Sequence, residues 1–517
     1  MSVDNGKIAE DRALKGFVSG GGAVFLALFI GYFLTFFYKL ILARSFGPAD
    51  YGLFEMVITV LGILTVFAGL GLYSGLTRFI SLYKAKPELV KGYVSSVTKI
   101  QLVSSLLFSI VLFLLAPKIT AFFEFEGVFT QILYVVAFIL PIKVFTKSFI
   151  QVLLAYKKVM ISKLGTELVN KGIMLLGILL IIYFNYSILS VALLLLIAYT
   201  LTLIYYLYHF QKVKKNFETK EKKYELKRWF SYSYPLLFAG LVGYLLNWTD
   251  NLVIGRYLTE SDLGIYAVAF SVAYYLFAGS KLFSGVFLPI MTEYYENNMK
   301  QFKEIFQTIR TWTVLFSLIV GSVFILYAQQ ILNLLFGQEY VAGATSLQIL
   351  AAFFIVANYF YFSSKLLHLE DQTKKILYGD IIALALNLTI TIYLVNLLGI
   401  AGAAIGSGFS YFLIRYIFHL YSKKYVKFKH DYKHIIKSVI ATFSAAIISY
   451  YASSLALFYL NVHLIVYAAI AGMLYGLLLL LAIRYLDMVK KEDFIIIDMI
   501  EDYTKLNLNI VRKILVR

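Results

Sequence analysis

LARSFGPADYGLF, residues 42–54, lies between two long apolar runs and decides how the rest of the chain is read. Its register returns 212 residues later as IGRYLTESDLGIY, residues 254–266, with Arg44 on Arg256, Asp50 on Asp262 and Gly52 on Gly264, without a gap. In a chain that is 61% hydrophobic, matched Leu or Ile would mean little, but a matched Arg, Asp and Gly in one short stretch carry information. The same offset pairs Tyr32 with Tyr244, Lys91 with Lys303, Ala116 with Ala328, Ile188 with Ile400 and Tyr199 with Tyr411. Two copies of one bundle in the same orientation are therefore expected, a known way of building transporters. The stretch itself reads as an outer loop joining two helices.

The bulk numbers agree with a membrane. Mean hydropathy is +0.79 and only 15% of the 517 residues are charged, more apolar surface than a soluble domain can solvate. Cysteine is absent, which excludes a disulfide framework, a thiolate metal site and a cysteine nucleophile. The net charge of +18 invites a nucleic-acid partner. Its distribution argues against one, because the basic residues fall in short runs between apolar segments, as membrane orientation requires.

A span needs roughly 20 apolar residues. That rule predicts an all-α integral membrane protein with helices at 17–43, 53–79, 93–116, 128–155, 164–184 and 187–209, then 229–256, 263–291, 309–334, 344–368, 376–397 and 399–421, and a last pair at 435–457 and 462–486. The fourteen fall into a cytosolic segment (1–16), an N-lobe (17–209), a basic linker (210–228), a C-lobe (229–421), a basic loop (422–434), a helix pair (435–486) and an amphipathic tail (487–517). The N-terminal segment reads as a cytosolic lead into the first span rather than a cleaved signal peptide. Lys and Arg concentrate on alternate connections, including the 212–228 and 423–433 clusters, so both termini are expected in the cytoplasm. The tail has the spacing of an interfacial helix.

Function is sought in the polar residues inside the spans. A Lys, Arg or Asp at mid-bilayer costs about 2.5–3.5 kcal/mol, so one that persists usually faces a cavity. The candidates for an anion-binding cavity are Lys39, Arg44, Lys143, Lys147, Arg256 and Lys281. Lys143 and Lys147 are one turn apart and share a helix face. Against this excess stands Asp250, read as the one clearly intramembrane acid. With Asn247 and Asn251 beside it, Asp250 is a candidate for coupling to H+ or Na+, the alternative being a structural pair with a lysine. Converging ammonium groups would form charge-assisted bonds to phosphate oxygens. For Lys39, Arg44 and Arg256 the competing reading is snorkelling to an interface, and Arg78 and Arg415 read as cytoplasmic anchors. Gly20-Gly21-Gly22 lacks the strand–turn–helix setting of a nucleotide loop and reads as close helix packing. The six His are scattered, no Ser/His/Asp or paired-carboxylate grouping occurs in an accessible loop, and neither catalysis nor a metal or other cofactor is expected.

At LARSFGPADYGLF (42–54), GLGLYSGLTRFIS (69–81), DNLVIGRYLTESDLGIYAVAF (250–270), FLPIMTEYY (287–295), LLFGQEYVAGATSLQILA (334–351) and GIAGAAIGSGFS (399–410), the chain resembles the multidrug/oligosaccharidyl-lipid/polysaccharide exporter superfamily, specifically the O-antigen-type flippases of its polysaccharide-biosynthesis branch. The order and spacing of these pieces carry the resemblance, which runs from about residue 17 to 421. It implies two six-helix lobes around a central cleft, and export of a polyprenyl-linked glycan by alternating access, for which a monomer suffices. A cation-coupled drug exporter of the same superfamily is the second expectation, disfavoured by the lysine excess. A membrane glycan polymerase or glycosyltransferase is the third, disfavoured because no sizeable extramembrane loop is present.

Overall fold

A computed structural model describes residues 2–426, 432–460 and 464–485, and the predicted amphipathic tail lies outside these, as does part of the 422–434 loop. The described residues form eighteen α-helices in chain order: α1 (Ser2–Gly69), α2 (Leu72–Leu82), α3 (Pro87–Phe123), α4 (Gly127–Ala155), α5 (Val159–Lys163), α6 (Lys171–Tyr183), α7 (Ile188–Lys214), α8 (Leu226–Tyr257), α9 (Glu260–Tyr274), α10 (Leu276–Asn297), α11 (Met299–Leu326), α12 (Ala328–Leu335), α13 (Ala344–Tyr359), α14 (Ser363–Leu369), α15 (Thr373–Leu398), α16 (Ile400–Ser422), α17 (Tyr432–Leu460) and α18 (Leu464–Tyr485). A π-helical stretch, Leu164–Asn170, joins α5 to α6.

The stretch 42–54 is not a loop. Helical geometry runs through it except at Gly47, where φ is 76° and ψ is 175°. Gly47 takes an extended conformation at positive φ that is essentially open to glycine alone and breaks the helix, and Pro48, which has no N–H to donate, starts the next. Stop and start are adjacent, so no residues remain for a connection. The two legs nevertheless fold back on each other. In a straight helix Lys39 and Glu55 would be separated by about 24 Å of rise, yet their charged groups are 2.7 Å apart.

Among the described residues twelve helices are long and apolar enough to cross a membrane. The difference from fourteen lies in two places. The expected spans 17–43 and 53–79 fall largely within α1, the second ending early where Leu70 and Gly71 take positive φ. The expected span 263–291 is divided at Tyr275 into α9 and α10. The 212-residue spacing persists in the elements: α3 and α11 begin at Pro87 and Met299, and α7 and α16 begin at Ile188 and Ile400.

By packing, the chain divides after Gly264, not in the 210–228 linker. The helix α8, expected to open the second lobe, packs with the first unit. The Tyr244 hydroxyl donates to the Ile58 carbonyl oxygen at 3.0 Å, and Asn251 Nδ2 donates to Thr59 Oγ1 at 2.9 Å. At the start of α9 a reciprocal cap forms: the Asp262 N–H donates to Thr259 Oγ1 at 3.1 Å, and the Thr259 N–H donates to Asp262 Oδ2 at 3.2 Å. In the second unit α11 packs against α10, α13 and α17, and α16 against α13, α14 and α15.

Candidate functional site

The break after Gly69 builds one wall of the first unit's site. A helix end leaves carbonyls unpaired, and here α3 satisfies them: Ser104 Oγ donates to the Ala68 oxygen at 2.6 Å and Gln101 Nε2 to the Gly69 oxygen at 3.4 Å. Gln101 Oε1 in turn accepts from Ser148 of α4 at 2.6 Å. This buried chain fixes α4 beside the start of α2, and Lys147 is the residue next to Ser148. Around it α2, α3, α4, α7 and α8 share a core that includes Leu76, Phe79, Tyr93, Leu153, Tyr206 and Trp229.

Lys147 Nζ lies over the Tyr73 ring, 5.4 Å from its centroid, and Lys143 Nζ over the Tyr199 ring of α7 at 5.3 Å. The two lysines stand one helical turn apart on the same helix face. Among the described residues no carboxylate lies within salt-bridge distance of either. Both side chains are partly buried, so their positive charge is held in a largely apolar span by aromatic faces, which attract cations electrostatically. Two such ammonium groups on one helix face supply donors for the oxygens of an anion.

Lys39 is placed differently. It pairs with Glu55 at 2.7 Å, with Glu55 only 2% exposed and Lys39 21%. The Thr59 hydroxyl donates to the Glu55 carbonyl oxygen at 2.8 Å and accepts from Asn251. Tyr244 of α8 donates to the Ile58 carbonyl oxygen, one turn on from Glu55, so α8 packs beside this pair. The pair Lys39–Glu55 and the lysines of α4 both belong to the first unit.

The remaining candidates divide. Arg44 is exposed. Arg256 is held by Glu124 at 2.7 Å and lies 5.3 Å from the Phe122 ring, with 38% of its side chain exposed, so it is not brought to the lysines of α4. Asp250 is 4% exposed and Asn251 6%, whereas Asn247 bonds back to the Gly243 oxygen on an exposed face. In the second unit Lys281 donates to the Tyr274 hydroxyl at 3.1 Å and covers its ring at 4.2 Å.

Asp250 is not the one intramembrane acid. Glu55 is more deeply buried, Glu167 of the π-helical stretch pairs with Lys171, the first residue of α6, at 2.5 Å, and Asp380 lies partly buried in α15. Glu55 and Asp380 each stood in the sequence as a lone acid in an apolar run, the signal that would have found them. Arg415, expected as a cytoplasmic anchor, is partly buried, bonded to Ser364 Oγ at 3.2 Å and stacked 4.7 Å from the Tyr361 ring. Arg310 is 8% exposed and lies 5.1 Å from the Tyr359 ring. Among the described residues no group of three His, Asp or Glu side chains gathers as metal ligands would.

Comparison with known proteins places these features. The chain is 25% identical over 210 residues to Agl15 of Haloferax volcanii, a probable low-salt glycan biosynthesis flippase; the match covers 40% of this chain and 44% of that protein. It is 26% identical over 438 residues to MJ1068 of Methanocaldococcus jannaschii, an uncharacterized membrane protein, covering 80% and 84% of the two chains. Its fold is similar to that of the lipid II flippase MurJ in an inward closed conformation, with a TM-score of 0.69 at 15% identity over 88% of this chain and 97% of that one. An inward-facing MATE-family multidrug transporter of the MOP superfamily has a TM-score of 0.62 at 15% identity, over 78% and 97%. Residues 41–345 match the family described as polysaccharide biosynthesis protein. The chain is a multi-pass membrane protein and belongs to the polysaccharide biosynthesis protein family.

Proposed function

We propose that this chain is a flippase that carries a polyprenyl-(pyro)phosphate-linked oligosaccharide from the cytoplasmic to the outer leaflet by alternating access, for assembly of surface polysaccharide or glycoprotein glycan. Lys39, Lys143 and Lys147 of the first unit hold the phosphate oxygens, and Lys281 is a separate candidate cation in the second. Arg44 remains a candidate at the outer end of the first leg. The lipid stays in the bilayer while the polar headgroup crosses. The two repeat bundles are the parts that rock, α8 moving with the first, in a cell membrane with both termini cytoplasmic, the arrangement that places the 212–228 basic cluster inside.

One observation carries this reading: Lys143 and Lys147 are partly buried on aromatic faces with no carboxylate within salt-bridge distance among the described residues. Family membership and the likeness to a probable glycan biosynthesis flippase support the same substrate class. The test is leaflet transfer of a polyprenyl-diphosphate glycan in proteoliposomes. Replacing both lysines with Met abolishes transfer, and transfer at the wild-type rate would refute the site.

A cation-coupled multidrug exporter is the second reading, favoured by the MATE-like fold and by buried acids such as Glu55. A drug-binding pocket wants acidic side chains free for the cation, whereas Glu55 already holds Lys39. Drug resistance in a sensitised host, with lipid-linked glycan unaffected, would reverse the ranking.

A further inference from the structure

The connection between α7 and α8 joins two candidate spans and so lies at a membrane face. It is not a loose tether. Lys215–Phe217 form a 3₁₀ turn that sends Phe217 inward, 3% exposed, against Tyr156 and Phe210. Beyond that turn the backbone is laid along α3. The Lys223 N–H donates to the Glu88 carbonyl oxygen at 3.1 Å, Lys91 Nζ donates to the Thr219 carbonyl oxygen, and Lys222 Nζ donates to Ser95 Oγ at 3.2 Å. Gly92 permits the approach, since a Cβ there would stand 1.9 Å from the Lys223 carbonyl oxygen. At the far end Glu225 accepts from the Tyr83 hydroxyl and from Arg228, and Trp229 is buried.

These contacts use the inward side of the segment and leave its charge outside. Lys214, Lys215, Lys220 and Lys227 are exposed, and none of them pairs with a carboxylate among the described residues. Glu218 and Glu221 are the exposed acids of the segment set against them. Beside the lysines stands an apolar stripe. Leu226, Phe230 and Tyr234, four residues apart on α8, are all exposed and share a helix face that runs from the basic segment into the span. Ammonium groups at the membrane face with apolar side chains leading away from them match a phosphate headgroup carried on hydrocarbon chains. An acidic protein or a nucleic acid would meet the lysines and leave the stripe unmatched.

We propose that residues 214–234 form a docking surface for an anionic membrane lipid, its phosphate among Lys214, Lys215, Lys220 and Lys227 and its chains along Leu226, Phe230 and Tyr234. The segment is pinned to α3 before any lipid arrives, so little ordering entropy remains to be lost on binding. This inference does not rest on the proposed transport function.

Native mass spectrometry of the purified full-length protein, offered equal amounts of phosphatidylglycerol and phosphatidylcholine with the same chains, counts each lipid bound. A lysine near an anionic headgroup contributes about fivefold, so two lysines on one phosphate give wild type roughly a twentyfold preference for phosphatidylglycerol. Raising ammonium acetate from about 0.1 M to about 1 M shortens the screening length from about 10 Å to about 3 Å and is expected to remove most of that preference. Replacing Lys214, Lys215, Lys220 and Lys227 with Gln is expected to remove it as well. Gly92→Ala keeps every charge but lifts the segment off α3, and is expected to lose most of the preference. Phe217→Ala, which withdraws the buried ring and also keeps every charge, answers the same question should Gly92→Ala fail to fold. Lys143→Met with Lys147→Met, and separately millimolar inorganic phosphate, are expected to leave the preference intact. No preference in wild type, or one that survives the four Gln, would overturn the inference. A preference unchanged in Gly92→Ala and Phe217→Ala would reduce the segment to diffuse charge and overturn it too. Loss on replacing Lys143 and Lys147 would move the lipid to the proposed transport site, and competition by inorganic phosphate would make the ligand a free anion; either result overturns the docking surface.

Discussion

Gly52 and Gly264 are in contact through their backbones, and the contact is reciprocal. A Cβ on Gly52 would lie 1.9 Å from the carbonyl oxygen of Glu260, and one on Gly264 would lie 1.9 Å from that of Pro48. Each would also stand 3.0 Å from the other glycine's nitrogen. Replacing Gly52 with Ala therefore forces two helical backbones apart by about 1 Å or more before even a tight carbon–oxygen contact is reached. Overpacking of this kind costs about 1–3 kcal/mol, and the upper part of that range applies because no flexible side chain can yield. The expected fall in Tm is roughly 4–8 °C, read by intrinsic fluorescence of the three Trp during heating in detergent. Gly172→Ala in α6 is the control, since its Cβ meets nothing within 4 Å. Gly264→Ala should cost a similar amount. The double variant should cost less than the sum, by about 1–2 kcal/mol, because one separation accommodates both methyl groups. Wild-type stability in Gly52→Ala, or strict additivity in the double variant, would refute the reciprocal contact.

Three further outcomes follow from single contacts. Arg256→Gln removes a largely exposed pair with Glu124; it should cost at most about 1 kcal/mol and leave affinity for a diphosphate probe unchanged, whereas a large loss of affinity would return Arg256 to the phosphate site. Gln101→Leu strands the buried Ser148 hydroxyl and the Gly69 carbonyl, and should cost about 1–3 kcal/mol in thermal unfolding; a neutral result would discount that chain as the support of Lys147. Glu225, in the connection before α8, accepts a hydrogen bond from the Tyr83 hydroxyl, which with nearby Arg228 holds its carboxyl below the ordinary range. A lowered folded-state value stabilises above the unfolded carboxylate range and is lost as pH falls through the folded value, so Tyr83→Phe should flatten the acid limb of a Tm-against-pH curve, and an unchanged limb would dismiss the bond.

The matched Arg, Asp and Gly of residues 42–54 and 254–266 were legible as a repeat, yet each has a structural explanation. Asp262 caps α9, Gly52 and Gly264 let two backbones meet, and Arg256 holds Glu124. A residue type that recurs because both copies need the same turn says much about fold and little about ligand. The face shared by Lys143 and Lys147 was equally legible, since helical spacing is local. Their aromatic partners were not, because Tyr73 and Tyr199 come from α2 and α7 and only packing brings them to α4. Glu55 failed to register for a different reason. Reading 42–54 as an open loop removes any cause to place residue 39 beside residue 55, and a lone acid then looks unrelated to a lone lysine. Once Gly47 and Pro48 are adjacent stop and start signals, the legs must run side by side, and positions equally distant from the turn, eight residues before and eight after, meet. The pairing of the buried acid thus depends on the length of one turn: an insertion of two residues at Gly47 would shift the register of one leg against the other and leave Glu55 and Lys39 each buried without the other.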